Sequence, residues 1–236
     1  MGVLMSKLAH HLNEGAIFVD VGVNTGQTLI KARSYLPKLR YVGFEPNPAC
    51  VAYVDELIAA NAWLNVSVFP IGIGAESRVA ELHFYANGIT DSSASVIENF
   101  RPKEPVHKKA HIALFPMLAE YIGGQAAMVK IDVEGAELEV ILGSSNIIKR
   151  DRPFVFMELL PVYDSSREDR LQNQTAIETY FSEINYQCMR IIKKVDSSEL
   201  SGLESIDTIG IHSDMKLCDY LWCPIEKVDV LTELIL

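Results

Sequence analysis

Short apolar runs alternate along the chain with segments whose apolar residues recur every three or four positions. That alternation predicts strand and crossover-helix units around a mostly parallel sheet. Residues 16–22, "AIFVDVG", read as a first strand, 26–36 as a helix closed by Pro37, and 40–46, "RYVGFEP", as a second strand. Asn47 is placed to cap the next helix, with Pro48 at its first position, where a missing N–H costs nothing. "VSVFPIGIG", 66–74, reads as a third strand, "AMVKIDVEG", 127–135, as a fourth parallel strand feeding a helix that Gly143 ends, and "PFVFMEL", 153–159, as a fifth. Between them, "RVAELHFYA" alternates like a strand, "NGITDSSAS" is turn-rich, and "HIALFPMLAEYIGG" reads as a short strand and helix stopped by glycine. Residues 75–125 are thus expected to form an insertion roofing one end of the sheet. A polar helix to about Glu183 and strand-like stretches at 186–194 and 206–213 follow, so one domain is expected over 1–236, with 1–15 an N-terminal helix or extension.

The predicted strands end in acids: Asp20, Glu45, Asp132 with Glu134, and Glu158. Ligands of open α/β sheets sit beyond the carboxyl ends of the strands, where such carboxylates would lie. A dinucleotide fingerprint starting at Gly22 requires glycine at 24 and 27, but Asn24 and Gln27 stand there, which disfavours a nicotinamide oxidoreductase. The spacing Gly22, Asn24, Gly26 fits a tight positive-φ turn, in which asparagine is the best substitute for glycine. Asp20 beside that turn opposes a pyrophosphate and suits a ligand carrying an amino group and a positive sulfonium. Glu45 is placed to accept both hydroxyls of a ribose.

"FVDVGVNTGQT", "VGFEPNP" and above all "VKIDVEGAELEVILG" resemble the FkbM family of S-adenosylmethionine-dependent methyltransferases over roughly residues 16–160. The resemblance implies a Rossmann-like class I methyltransferase fold, a mostly parallel seven-stranded sheet with helices on both faces. It also implies O-methylation of a hydroxyl on a sugar or secondary-metabolite acceptor, with S-adenosyl-L-methionine as cofactor. Carried over, the pattern makes Asp20, Gly22, Asn24 and Gly26 the methionine-side cradle, Glu45 the ribose acid, and Gly72 with Ile73 the adenine wall. The family's acid-bearing stretch before the fourth strand stands here as "ALFPMLAEYI", without its two acids.

For catalysis the sequence offers Asp132 as base or acceptor anchor and Glu134 beside it; the competing reading is that both complement the dipole of the following helix. No metal is required by this reading, and Mg²⁺ held by Asp132, Glu134 and Glu158 is the alternative. Lys130, mid-strand among apolar residues, needs a carboxylate partner, for which Glu158 is the choice. His111, in the insertion, and the hydroxyl-rich loop 90–95 are further candidates for touching ligand. A module that keeps the cofactor pocket without catalysis is the alternative of a different class.

Composition narrows the partners. Of 236 residues 49% are hydrophobic and 22% charged, an ordinary globular balance, and the net charge of −10 with basic residues only in scattered pairs argues against a nucleic-acid partner. A small-molecule or glycan acceptor is expected instead. Four sparse cysteines suggest reduced thiols and a cytoplasmic setting, and no apolar run of about 18 residues predicts a membrane span. "MGVLMS" matches the loose myristoylation pattern, which six residues satisfy cheaply.

Overall fold

The computed structural model describes residues 2–13, 15–194 and 200–235. Outside them lie Met1 of the myristoylation pattern, Glu14, residues 195–199 and Leu236. After helix α1 (Gly2–Ala9), strand β1 (Ile17–Val21), helix α2 (Gln27–Tyr35), strand β2 (Arg40–Phe44), helix α3 (Pro48–Ala60) and strand β3 (Val66–Phe69) form the first α/β units. Strands β4 (Gly72–Ile73), β5 (Arg78–Phe84) and β6 (Lys108–Phe115) follow, then α4 (Ala119–Ile122), β7 (Ala126–Ile131), α5 (Glu137–Gly143), α6 (Ser145–Asp151) and β8 (Phe154–Glu158). The chain ends in α7 (Glu168–Glu183), β9 (Tyr186–Lys193), β10 (Leu200–Ile206), β11 (Asp219–Pro224) and α8 (Val228–Ile235).

The main sheet has eight strands in the order β10-β9-β11-β8-β7-β1-β2-β3, one more than the expected seven. From β8 to β3 neighbours pair in parallel, whereas β11 pairs antiparallel with both β8 and β9. Apart from Asp20, strand β1 is apolar on both faces because both are covered. Ile17, Val19 and Val21 enter a core with residues of α5, α6 and α7, while Phe18 enters another with residues of α1, α2 and α8. The strand order reverses beside β1, flanked by β7 and β2, so the crevice of the sheet opens above its carboxyl end.

Two expectations change. The expected third strand breaks at Pro70, which lacks the N–H to continue the ladder: β3 stops at Phe69, and Gly72–Ile73 pair instead with β6 in a separate three-stranded sheet, β4-β6-β5. The expected strand at 206–213 is mostly loop. Its backbone groups go to side chains, Ile209 N–H to Glu178 at 2.6 Å, Ile209 C=O to Arg190 at 3.1 Å and Gly210 C=O to Gln174 at 3.1 Å, while buried Ile209 anchors it to the core. The strands at that end are β10, upstream of it, and β11, which the pattern reading passed over. Asn47 does cap α3, its side chain accepting from Ala49 N–H at 3.1 Å. Gly143 closes α5, but α6 follows almost at once. Its small size answers a contact, because a Cβ there would stand 2.1 Å from the Gly74 carbonyl oxygen.

All four cysteines are buried free thiols. Burial pushes Cys50 and Cys223 up to about 12 and Cys218 up to about 11, and raises Cys188 as well. Among the described residues, no helix is long and apolar enough to cross a membrane.

Candidate active site

A cavity opens above the carboxyl ends of β1, β2, β7 and β8, and the small sheet forms one of its walls through Ile73, Leu82 and Leu114. Its lining carries five carboxylates, Glu45, Asp91, Asp132, Glu134 and Glu158, against one cation, Lys130. Such a site favours a cationic ligand.

The turn after β1 is built by its left-handed residues, Gly22 at φ 87°, Asn24 at φ 51° and Gly26 at φ 82°. Gly22 is required twice over: a Cβ would stand 2.0 Å from the Asp132 carbonyl oxygen, so no side chain fits where this turn crosses the end of β7. Gly22 and Asn24 line the cavity. Glu45, 7% exposed, braces the turn: one carboxylate oxygen accepts Asn24 N–H and the other Asn47 N–H, each at 2.8 Å. Burial raises its pKa against those two donors. Each oxygen keeps a lone pair for a ligand hydroxyl. Gly72 and Ile73 also line the cavity.

Two cradle residues differ from expectation. Asp20 is fully buried beneath the floor and does not line the cavity; one oxygen takes the Tyr41 hydroxyl and the other lies 3.3 Å from Lys130 Nζ. The reason is register, since Asp20 stands opposite Lys130 across β1 and β7 and its side chain turns into the sheet face rather than upward. Gly26 starts α2, and its Cα side faces Leu57 and Val54 of α3 rather than the cavity.

Lys130 is likewise reassigned. Its partners are Asp20, Asp132 at 3.1 Å and the Gly22 carbonyl at 3.2 Å, and not Glu158, because Phe156 is its neighbour on β8. Burial opposes the ammonium charge, but Asp20 and Asp132 overcome it and hold the pKa above its ordinary value. Burial also raises Asp20 and, with the Asp20 charge, lifts Tyr41 well above the phenol range. Lys130 thus ties the buried pair to Asp132, whose side chain remains 36% exposed at the mouth.

Glu134 (φ 52°) and Gly135 (φ 100°) turn the chain tightly from β7 towards α5. The Glu134 carboxylate is held 3.0 Å from Arg101, and its backbone carbonyl accepts the Ser95 hydroxyl at 2.6 Å. Burial raises its pKa, with Arg101 opposing. In loop 90–95, Asp91 accepts the N–H groups of Tyr85, Ala86 and Ser93, so most of the loop's polarity shapes the wall itself. His111 does not line the cavity; its side chain is 74% exposed beside Glu81. No group of three His, Cys, Asp or Glu side chains among the described residues could hold a metal ion, so Asp132, Glu134 and Glu158 do not converge on one as the Mg²⁺ alternative required.

The residue that the sequence undervalued is Glu158. Freed from the pairing with Lys130, it lines the cavity and makes no hydrogen bond or ion pair among the described residues. Desolvation, then the charges of Asp132, Asp219 and Glu134, push it up to about 7. Asp219 stands directly opposite it on β11, the strand that pattern reading passed over. Glu137, buried in the first turn of α5 with its carboxylate accepting Gly135 N–H at 2.9 Å, is also pushed up to about 7 by burial.

Comparison with known proteins identifies the fold and the family. A curated fungal protein, "Methyltransferase 1" of Beauveria bassiana (strain ARSEF 2860), is 27% identical over 148 residues, 55% of this chain and 59% of that protein. The chain therefore spans little more than half of that relative. Among solved structures, methyltransferase FkbM from Methylobacillus flagellatus KT superposes with a TM-score of 0.55 at 14% identity, covering 92% of this chain and 47% of that one. Cofactor-bound Rv0187 from MTB superposes with a TM-score of 0.52 at 13% identity, covering 95% and 79%. These likenesses place the fold among the class I methyltransferases. The family described as Methyltransferase FkbM domain matches residues 20–188, from the buried acid under the turn to strand β9 and well over half of the chain, and the chain belongs to that family.

Proposed function

We propose that the chain transfers the methyl group of S-adenosyl-L-methionine to a hydroxyl of a small-molecule or glycan acceptor, a sugar or secondary metabolite, with Glu158 receiving the hydroxyl proton. The observation that carries the reading is the Glu158 carboxyl on the cavity wall, without a partner among the described residues while Lys130 holds Asp132 and Arg101 holds Glu134. Bound S-adenosyl-L-methionine supplies an electrophilic methyl on a positive sulfonium. The residues present fit it: Glu45 has spare lone pairs for ribose hydroxyls, the Gly22 turn leaves no side chain in the way, and the acidic lining favours the cation.

What remains for the protein is alignment and proton removal. Asp132, anchored by Lys130, is fixed in place to orient the acceptor, and Glu134 is engaged by Arg101. Glu158 has no such engagement, and a base with a pKa near the working pH is the efficient one. Asp132 and Glu134, the first candidates from sequence, thus become positioning groups.

Calorimetry with S-adenosylhomocysteine and NAD, followed by labelled methyl transfer to a panel of sugars and phenols, tests the reading. Binding of S-adenosylhomocysteine alone and label in a hydroxyl acceptor are expected. Binding of NAD alone would overturn the cofactor, and nitrogen acceptors labelled in place of hydroxyls would overturn the reaction. Cofactor binding without transfer to any acceptor would favour the non-catalytic module.

A further inference from the structure

Beside the acidic cavity runs a groove of opposite character, lined by Phe100, Arg101, Lys103, Tyr163, Arg167 and Arg170. The two share a wall, since Glu134 of the cavity is ion-paired with Arg101 of the groove, and Phe100 packs against Gly135 so closely that a Cβ there would meet its ring at 2.4 Å. The exit of β8 passes from one to the other, with Glu158 on the cavity and Leu160 on the groove.

The four cations are unevenly compensated. Arg101 is held by Glu134 with Glu104 at 3.4 Å, and Asp164, whose Oδ1 accepts the N–H and hydroxyl of Ser166, attracts Arg167 at longer range. Asp169 stands 3.8 Å from Arg167. Arg170 has no carboxylate partner among the described residues; it donates to the Phe100 carbonyl at 3.1 Å, stacks 4.7 Å from the Phe100 ring, and its buried Nε finds no acceptor. Lys103 makes no ion pair among the described residues. Burial, then the neighbouring Arg167, lower the Arg170 pKa against the opposing pull of Asp169. In a chain of net charge −10, four cations gathered beside a reaction cavity need a reason.

We infer that this groove binds an oxyanion of the methyl acceptor, a phosphoryl or carboxylate group, and so holds the acceptor with its hydroxyl directed over the shared wall towards Glu158. The inference rests on the proposed methyl transfer and narrows its substrate to anionic hydroxyl compounds. Guanidinium forks match the geometry of either oxyanion, and the half-exposed Tyr163 supplies a flat surface for the body of the molecule beside the buried Phe100 ring.

The test uses phenyl phosphate and benzoate as probes and phenol as their neutral match. Each is titrated by calorimetry into the whole protein, with and without saturating S-adenosylhomocysteine. At least one anion is expected to bind in the millimolar range or better and about ten-fold more tightly than phenol; the tighter of the two identifies the oxyanion. Lys103→Glu with Arg167→Glu, which leaves the arginines bracing Phe100 in place, should erase that preference while the affinity for S-adenosylhomocysteine changes less than about two-fold. Neither anion binding up to about 10 mM, anions no better than phenol, or a preference surviving the double substitution would overturn the inference. Failure of S-adenosylhomocysteine to bind would instead overturn the cofactor reading, and the cofactor-free titrations still decide the groove.

Discussion

The cavity and the groove lie on two sides of one thin wall, yet they handle charge in opposite ways. In the cavity, carboxylates outnumber cations, and the one lysine is shared between Asp20 and Asp132. Across Glu134 and Phe100, four cations gather in a groove whose lining holds two acids, Glu104 and Asp164. The two fields meet at the wall itself, where Arg101 is ion-paired with Glu134 at 3.0 Å. The difference teaches that the −10 net charge says little about local preference: one chain presents a cation site and an anion site a few side chains apart.

The largest expected effect tests what the cavity side does. Glu158→Gln keeps the shape and removes the proton acceptor, so turnover should fall by about 10²–10⁴ while S-adenosylhomocysteine affinity holds. Wild-type kcat/KM should climb with pH through about 7, as the Glu158 carboxyl loses its proton. A flat profile or full turnover in the variant would return the base assignment to Asp132.

Next in size is Gly22→Ala. Its Cβ would collide with the Asp132 carbonyl in a left-handed turn, which should destabilise the fold by about 2–4 kcal/mol in denaturant unfolding. A wild-type midpoint would show that the turn yields easily and that the wall of the cavity is soft.

Glu45→Ala should weaken S-adenosylhomocysteine binding by about 1.5–3 kcal/mol, because ribose hydroxyls and two backbone N–H groups lose a charged acceptor. Unchanged affinity by calorimetry would remove Glu45 from the ribose site. The smallest effect is electrostatic. Buried Glu137 has a folded pKa of about 7, above its ordinary 4.5, so the folded state binds more protons between those values. Stability should therefore fall as pH rises from about 4.5 to about 7, and Glu137→Gln should flatten that fall by about 1 kcal/mol. An unchanged slope in unfolding curves at pH 5 and pH 8 would clear Glu137 of the effect.

Most of the central architecture was legible, and the reasons are local. Apart from Asp20, Lys130 and the charged residues at their ends, the runs at 16–22, 40–46, 127–135 and 153–159 are apolar because the strands are covered on both faces, and Asn47-Pro48 is a self-contained helix start. The strand-end acids were legible as a group, but not the division of labour among them. Whether Lys130 answers Asp20 or Glu158 depends on register between strands over a hundred residues apart, which no spacing along the chain encodes. Tyr41, which completes the Asp20 pair from β2, was hidden for the same reason. At the antiparallel end, the loop 207–218 imitates a strand because Ile209 is buried, while its hydrogen bonds come from distant side chains. The basic groove was invisible because Arg101 and Arg170 come from separate segments, each unremarkable alone.

The buried thiols give the molecule a built-in clock. With four cysteines enclosed and their thiolates suppressed, an alkylating reagent at neutral pH meets almost nothing reactive in the native state. Each alkylation event must then wait for the surrounding element to open. The four sites sample different places: Cys50 in α3 at the cavity, Cys188 in β9, and Cys218 and Cys223 at the two ends of the β11 segment. Mass-resolved labelling rates would therefore rank the opening of the cofactor side against the antiparallel edge without any engineered probe. Cofactor binding should slow Cys50 labelling while Cys188 keeps its own pace.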